Sequence, residues 1–123
     1  MPEITIIDDE IQLAEMLAEV AEICGYEAVI YTDAREFLKH EIKTDVIFLD
    51  LTMPDIDGIE VISELGKRQN TAVIVLMSGF DQSLLQTSQV LAEKWGLNVI
   101  EPLTKPMSIK VISQVLESIK ETL

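Results

Sequence analysis

Two segments of this chain are apolar without a break. Val46 to Leu49 reads VIFL, and Ala72 to Met77 reads AVIVLM. A strand with one face in water alternates apolar and polar residues, so an unbroken run implies burial on both faces. A sheet buried on both faces lies between two layers of helix, and its strands run parallel.

The intervening segments carry the helical period. From Ile11 to Cys24, residues Leu13, Ala14, Leu17, Ala18 and Ala21 fall on one side, and Gly25 ends the pattern. Asp33 is placed to cap a short helix from Ala34 to about His40. Ile59, Ile62 and Leu65 stripe a helix over 59–68, and Asp81 opens a long one running to about Trp95 and ended by Gly96. Pro106 suits the first turn of a last helix whose stripe is Ile109, Ile112, Val115, Leu116 and Ile119. Strands at Ile4 to Ile7, Ala28 to Tyr31 and Val99 to Ile100 complete the pattern. Five strands alternating with five helices predict an α/β fold, a doubly wound (βα)5 domain around a five-stranded parallel sheet.

The 123 residues suffice for one domain, 1–123, and for its core without disulfides or structural metals. No apolar run approaches the roughly 20 residues of a membrane span. The opening MPEITIIDDE lacks the positive region of a signal peptide, and Cys24 is the sole cysteine. These features point to a cytoplasmic protein. A formal charge of −13 repels nucleic acid and anionic lipid, so neither is an expected partner.

In a doubly wound sheet the ligand site lies at the carboxyl ends of the strands. Here those ends carry Asp8 and Asp9, then Asp50, then Ser78 and Gly79, and finally Lys105 followed by Pro106. Clustered carboxylates repel one another, and at least one is driven toward its neutral form. Lys105 offsets one charge, and a divalent cation held by hard oxygen ligands offsets two more, which suits Mg²⁺. The nearby sequence holds no His or Cys to favour zinc. With that compensation, Asp50 can attack phosphorus as a nucleophile, and Ser78 can donate a hydrogen bond to the transferring group.

Four segments in order, IIDDE, VIFLDLTMPDIDG, VIVLMSG and LTKP, resemble the receiver domain of two-component response regulators. The resemblance covers essentially the whole chain and implies a flavodoxin-like, receiver-type three-layer sandwich. It implies that Asp8, Asp9, Asp50 and the backbone carbonyl of Thr52 hold Mg²⁺, and that Asp50 is the phosphoacceptor. Ser78 is then the switch hydroxyl, Lys105 the family's lysine, and the Lys105-Pro106 bond cis. A sensor histidine kinase or a histidine phosphotransfer protein is the implied donor. A downstream effector protein or output domain is the implied receiver of the signal, with a homodimer as a further option.

The sequence departs from the family in two places. An aromatic residue usually stands three positions before the lysine, where this chain has Pro102, which cannot play that rotamer role. The stretch from Ser78 to Lys105 is longer by about one helical turn, assigned to the fourth helix. Readout is therefore expected through that helix or the fifth strand's edge. The sequence stops at Leu123, which leans toward a single-domain regulator. The alternatives are a receiver cut from a longer regulator, such as one with a cyclic-di-GMP phosphodiesterase output, and a degenerate receiver that binds partners without phosphorylation. A dehalogenase-like phosphohydrolase needs a second acid where this chain has Thr52, and a nucleotide binder needs a small-residue loop where it has DDEIQ.

Several other residues have plainer readings. Cys24 reads as a buried, inert thiol and His40 as a surface residue. Met53 and Met77 read as core, and Trp95 as packing the end of the fourth helix. Pro54 and Gly58 read as turn formers, Asp55 and Asp57 as solvated or capping residues. Thr52 and Phe80 flank the site and, by resemblance, tune the phosphoryl lifetime.

Overall fold

The computed structural model describes residues 1–53, 58–79 and 81–123. In chain order the elements are β1 (Glu3–Ile7), α1 (Ile11–Ile23), β2 (Glu27–Tyr31), α2 (Ala34–Leu38), β3 (Val46–Asp50) and α3 (Gly58–Lys67). Then come β4 (Val73–Ser78), α4 (Gln82–Lys94), β5 (Asn98–Val99), β6 (Leu103–Thr104) and α5 (Ile109–Thr122). The strands pair in parallel in the order β2-β1-β3-β4-β5, with β6 also pairing β4.

The unbroken runs are buried on both faces, as expected of them. In β3 every residue is buried; Val46 and Phe48 join one core, Ile47 and Leu49 the other. In β4, Val73, Val75 and Met77 face the first core, while Ile74 and Leu76 face the second. The first core packs against α1 and α5, the second against α2, α3 and α4. Helix starts follow their caps. Asp33 accepts from Arg35 N at 2.8 Å, and Asp81 accepts from Leu84 N at 2.9 Å. Gly25 and Gly96 leave their helices at φ +93° and +76°, a region that costs other residues strain.

The fifth strand differs from its expected form. It is split into β5 and β6, and its register against β4 advances by one residue between them. Val73 and Ile74 face Asn98 and Val99, whereas Met77 and Ser78 face Leu103 and Thr104. Three residues, Ile100 to Pro102, thus oppose two of β4, which is a bulge. Pro102 has no N–H to give the ladder, which is why the interruption falls there.

Other boundaries also shift. The last helix starts at Ile109, after Pro106, because the Ser108 side chain caps it by accepting from Val111 N at 3.1 Å. Gly58 is the first residue of α3 and not a turn former; a Cβ there would lie 2.6 Å from Leu51 Cδ2. Trp95 stands at the end of α4 and packs there as expected; its ring lies on Gly66 of α3, where a Cβ would come within 2.5 Å of it. Cys24 is buried just past α1, and burial pushes its thiol up. His40 is exposed, Met53 and Met77 are buried, and Lys105-Pro106 is cis. The readings of Pro54, Asp55, Asp57 and Phe80 lie outside the described residues. No helix is long and apolar enough to cross a membrane among the described residues.

Candidate functional site

The carboxyl ends of β1, β3, β4 and β6 converge on one edge, and four of the six expected site residues are held there by backbone bonds of the sheet. Asp8 N donates to Tyr31 O at 3.1 Å, which continues the β1–β2 ladder one residue past β1. Asp50 is the last residue of β3, and Leu51 N donates to Met77 O at 2.9 Å. Ser78 ends β4, and its carbonyl accepts from Lys105 N at 2.8 Å. The lysine is thereby delivered beside β4 although 26 residues separate the two in sequence order, Ser78 and Thr104 being register partners.

Lys105 Nζ sits between the acids. It lies 3.0 Å from Asp8 Oδ2, 3.3 Å from Asp50 Oδ2 and 3.4 Å from Glu10 Oε1. Asp8 and Asp50 are buried and Asp9 is exposed; one carboxylate oxygen from each of the three lies within 4.8 Å of the others. Each buried acid has one oxygen fixed by backbone. Asp8 Oδ1 accepts from Glu10 N at 2.9 Å. Asp50 Oδ1 accepts from Thr52 N at 3.0 Å and from Thr52 Oγ1 at 2.8 Å. The second oxygens, Asp8 Oδ2 and Asp50 Oδ2, are buried in ionic contact with Lys105 but have no hydrogen bond of good geometry among the described residues.

Burial pushes the Asp8 carboxyl up to about 6, and the charge of Asp50 adds to the rise. The Glu10 N–H and Lys105 pull the other way but lose to burial. Lys105 feels the converse: burial would lower it, and the carboxylates of Asp8 and Asp50 outweigh that and hold it above its ordinary value. One ammonium thus faces three carboxylates of the cluster. Two buried oxygens that share one ammonium, an exposed third carboxylate and an excess of negative charge suit a hard divalent cation such as Mg²⁺.

The structure thus brings together Asp8, Asp9, Asp50 and Lys105, with Thr52 bonded to Asp50. Ser78 is buried at the same edge, and its hydroxyl makes a long contact of 3.5 Å to Asp81 O. Two features escaped the sequence reading. Glu10 joins the site as a third carboxylate contact of Lys105, 95 positions away along the chain. Thr52 contributes its hydroxyl as well as its backbone. The only sequence signal for Glu10 was its place directly after the acidic pair.

A family model described as the response regulator receiver domain matches residues 4–117. Among curated proteins, the chain is 27% identical to chemotaxis protein CheY of Thermotoga maritima, over 91% of this chain and 95% of that protein. It is 29% identical to the alkaline phosphatase synthesis transcriptional regulatory protein PhoP of Bacillus subtilis, over 94% of this chain but 47% of that protein. The chain therefore spans about half the length of several curated relatives it matches. A response regulator from Colwellia psychrerythraea superposes with a TM-score of 0.85 at 35% identity, covering 99% of this chain and 98% of that one. The response regulator TrrA of Thermotoga maritima, solved in complex with Mg²⁺-BeF, superposes at 0.79 with 26% identity, covering 97% of this chain and 99% of that one.

Proposed function

Because this chain belongs to the response regulator receiver family, we propose that it accepts a phosphoryl group on Asp50 and transmits the change through protein contacts. The observation that carries this reading is the pair of buried oxygens of Asp8 and Asp50 that share the single ammonium of Lys105 as their ionic partner. A site holding this much uncompensated acid on a stable sheet edge is built for cationic and phosphoryl ligands rather than for fold stability.

Asp8, Asp9, Asp50 and the Thr52 backbone carbonyl would hold Mg²⁺. When bound, the ion supplies positive charge where an incoming phosphoryl group would otherwise meet only acid. Asp50 is the nucleophile: a carboxylate oxygen bonds to phosphorus while the bond from phosphorus to the donor breaks, and the donor leaves with that electron pair. Thr52 N–H and Oγ1 orient the carboxylate by holding Oδ1. Lys105 is placed to pair with the phosphoryl oxygens, and Ser78 to exchange its weak contact with Asp81 O for a bond to one of them.

A sensor histidine kinase or phosphotransfer protein is the donor in this reading, and an effector protein or output domain is the target. The chain works in the cytoplasm as one receiver domain, residues 1–123, and catalyses only its own phosphorylation and dephosphorylation. The test is intact mass after incubation with a small-molecule phosphodonor and Mg²⁺. One phosphoryl group is expected on the wild type, none on Asp50→Asn, and none when a chelator removes the metal. A folded wild type that gains no mass would replace this reading with a phosphorylation-independent binding module.

A further inference from the structure

The bulge in the fifth strand leaves a backbone group for α4 to hold. Ile100 stays in the ladder through its N–H, which donates to Ile74 O at 3.0 Å. Its carbonyl is taken instead by a side chain of α4: Gln89 Nε2 donates to Ile100 O at 3.2 Å. The helix is tethered at three points. At its start, Asp81 O receives the Ser78 hydroxyl at 3.5 Å. In its middle, Gln89 grips the bulge. At its end, the Trp95 ring lies on Gly66 of α3.

The middle tie is imperfectly satisfied. Gln89 Oε1 and the neighbouring Ser88 Oγ are buried with no hydrogen-bond partner among the described residues. Unpaired buried polar groups raise the free energy of the arrangement that buries them. The middle tie thus rests on one bond and is opposed by the unpaired Gln89 Oε1 and Ser88 Oγ.

We infer that Gln89 and the carbonyl of Ile100 form a latch that sets the position of α4. The latch couples the Ser78 end of the site to the outer surface of the domain, at the strand that Pro102 breaks. When Ser78 turns away from Asp81 O, the first tie is lost, and the latch becomes the hydrogen bond that holds the middle of α4 while Trp95 still anchors its end. This inference rests on the reading of Asp50 as phosphoacceptor for what turns Ser78, but the latch itself exists in the unmodified protein. It is a two-state device, biased by the ligand at the site.

The test is hydrogen exchange of α4 amides, resolved by peptide, in the wild type, Gln89→Leu and Ser88→Ala, before and after treatment with acetyl phosphate and Mg²⁺. Gln89→Leu keeps the side chain's bulk and removes its donor, so α4 should exchange roughly fivefold faster in the unmodified protein while α1 is unchanged, the expected size for one net hydrogen bond. Ser88→Ala removes an orphaned hydroxyl and should slow α4 exchange. Phosphorylated wild type should approach the Gln89→Leu pattern, and Gln89→Leu should change less on phosphorylation. Unaltered α4 exchange in untreated Gln89→Leu overturns the latch. So does unaltered α4 exchange in wild type whose mass shows the phosphoryl group in place. If mass shows no phosphoryl group, the acceptor reading fails, and the untreated comparison still decides the latch.

Discussion

Replacing Asp8 by asparagine should stabilise the metal-free protein at neutral pH. Asp8 is fully buried, and its carboxyl is raised from 3.8 to about 6, chiefly by burial. At pH 7 the group must ionise in the folded state at a cost it does not meet when unfolded, and that displacement corresponds to ~3 kcal/mol. A carboxyl raised on folding contributes stability that is fully present below about 3.8 and lost as pH rises through about 6. Asp8→Asn removes this loss. Its Oδ1 can still accept from Glu10 N, but the amide nitrogen meets Lys105 Nζ where Asp8 Oδ2 stands 3.0 Å away. The pull of Lys105 is already contained in that net rise, and Lys105 keeps Asp50 and Glu10; what offsets about 1–2 kcal/mol of the gain is the amide N–H group turned toward the ammonium with no acceptor. The net expectation is about 1–2 kcal/mol, or a rise in Tm of roughly 4–8 °C. Thermal and urea unfolding followed by circular dichroism, from pH 4.5 to 8 with chelator present, measures it. The gap between variant and wild type should widen between about pH 4 and 7 and then level off. Addition of Mg²⁺ should raise the wild type's stability and leave the variant's nearly unchanged. A variant that is less stable than wild type at pH 7.5 without metal, or a gap that narrows as pH rises, refutes the argument that burial of this charge is a net cost.

Lys105→Ala should reduce phosphorylation and its effect on α4 more than it reduces Mg²⁺ binding, since the ammonium contacts Asp8 Oδ2 and Asp50 Oδ2 but supplies no ligand atom; rates by mass and metal affinity by calorimetry separate the two. Tyr26→Phe should cost about 1 kcal/mol in urea unfolding, because the buried hydroxyl donates to Leu116 O at 2.6 Å and the variant loses that bond between the approach to β2 and α5. Gly66→Ala should cost at least about 1 kcal/mol and alter the fluorescence of Trp95, because a methyl group there would lie 2.5 Å from the indole.

The plan of the fold and most of the site could be read from local patterns. Val46 to Leu49 and Ala72 to Met77 dictate buried parallel strands because burial on two faces removes the alternation. Asp33 and Asp81 announce helix starts because their side chains cap donors two or three residues ahead. Asp8, Asp50, Ser78 and Lys105 could be found because a parallel sheet gathers its carboxyl ends on one edge. The rest depended on partners distant in sequence. The one-residue advance of register that splits β5 from β6 is a relation between two strands, and Pro102 alone does not specify it. Gly58 reads as a turn former until Leu51 is seen against it, and Trp95 reads as packing a helix end whose partner, Gly66, only the structure names. Glu10 reaches Lys105, and Gln89 reaches Ile100 O, only because packing sets α1 and α4 at particular heights against the sheet. Periodicity and capping are written in neighbouring residues, so the chain alone settles which elements form. Contacts between elements follow from how those elements stack, so the latch and the full set of contacts around Lys105 belong to the tertiary structure.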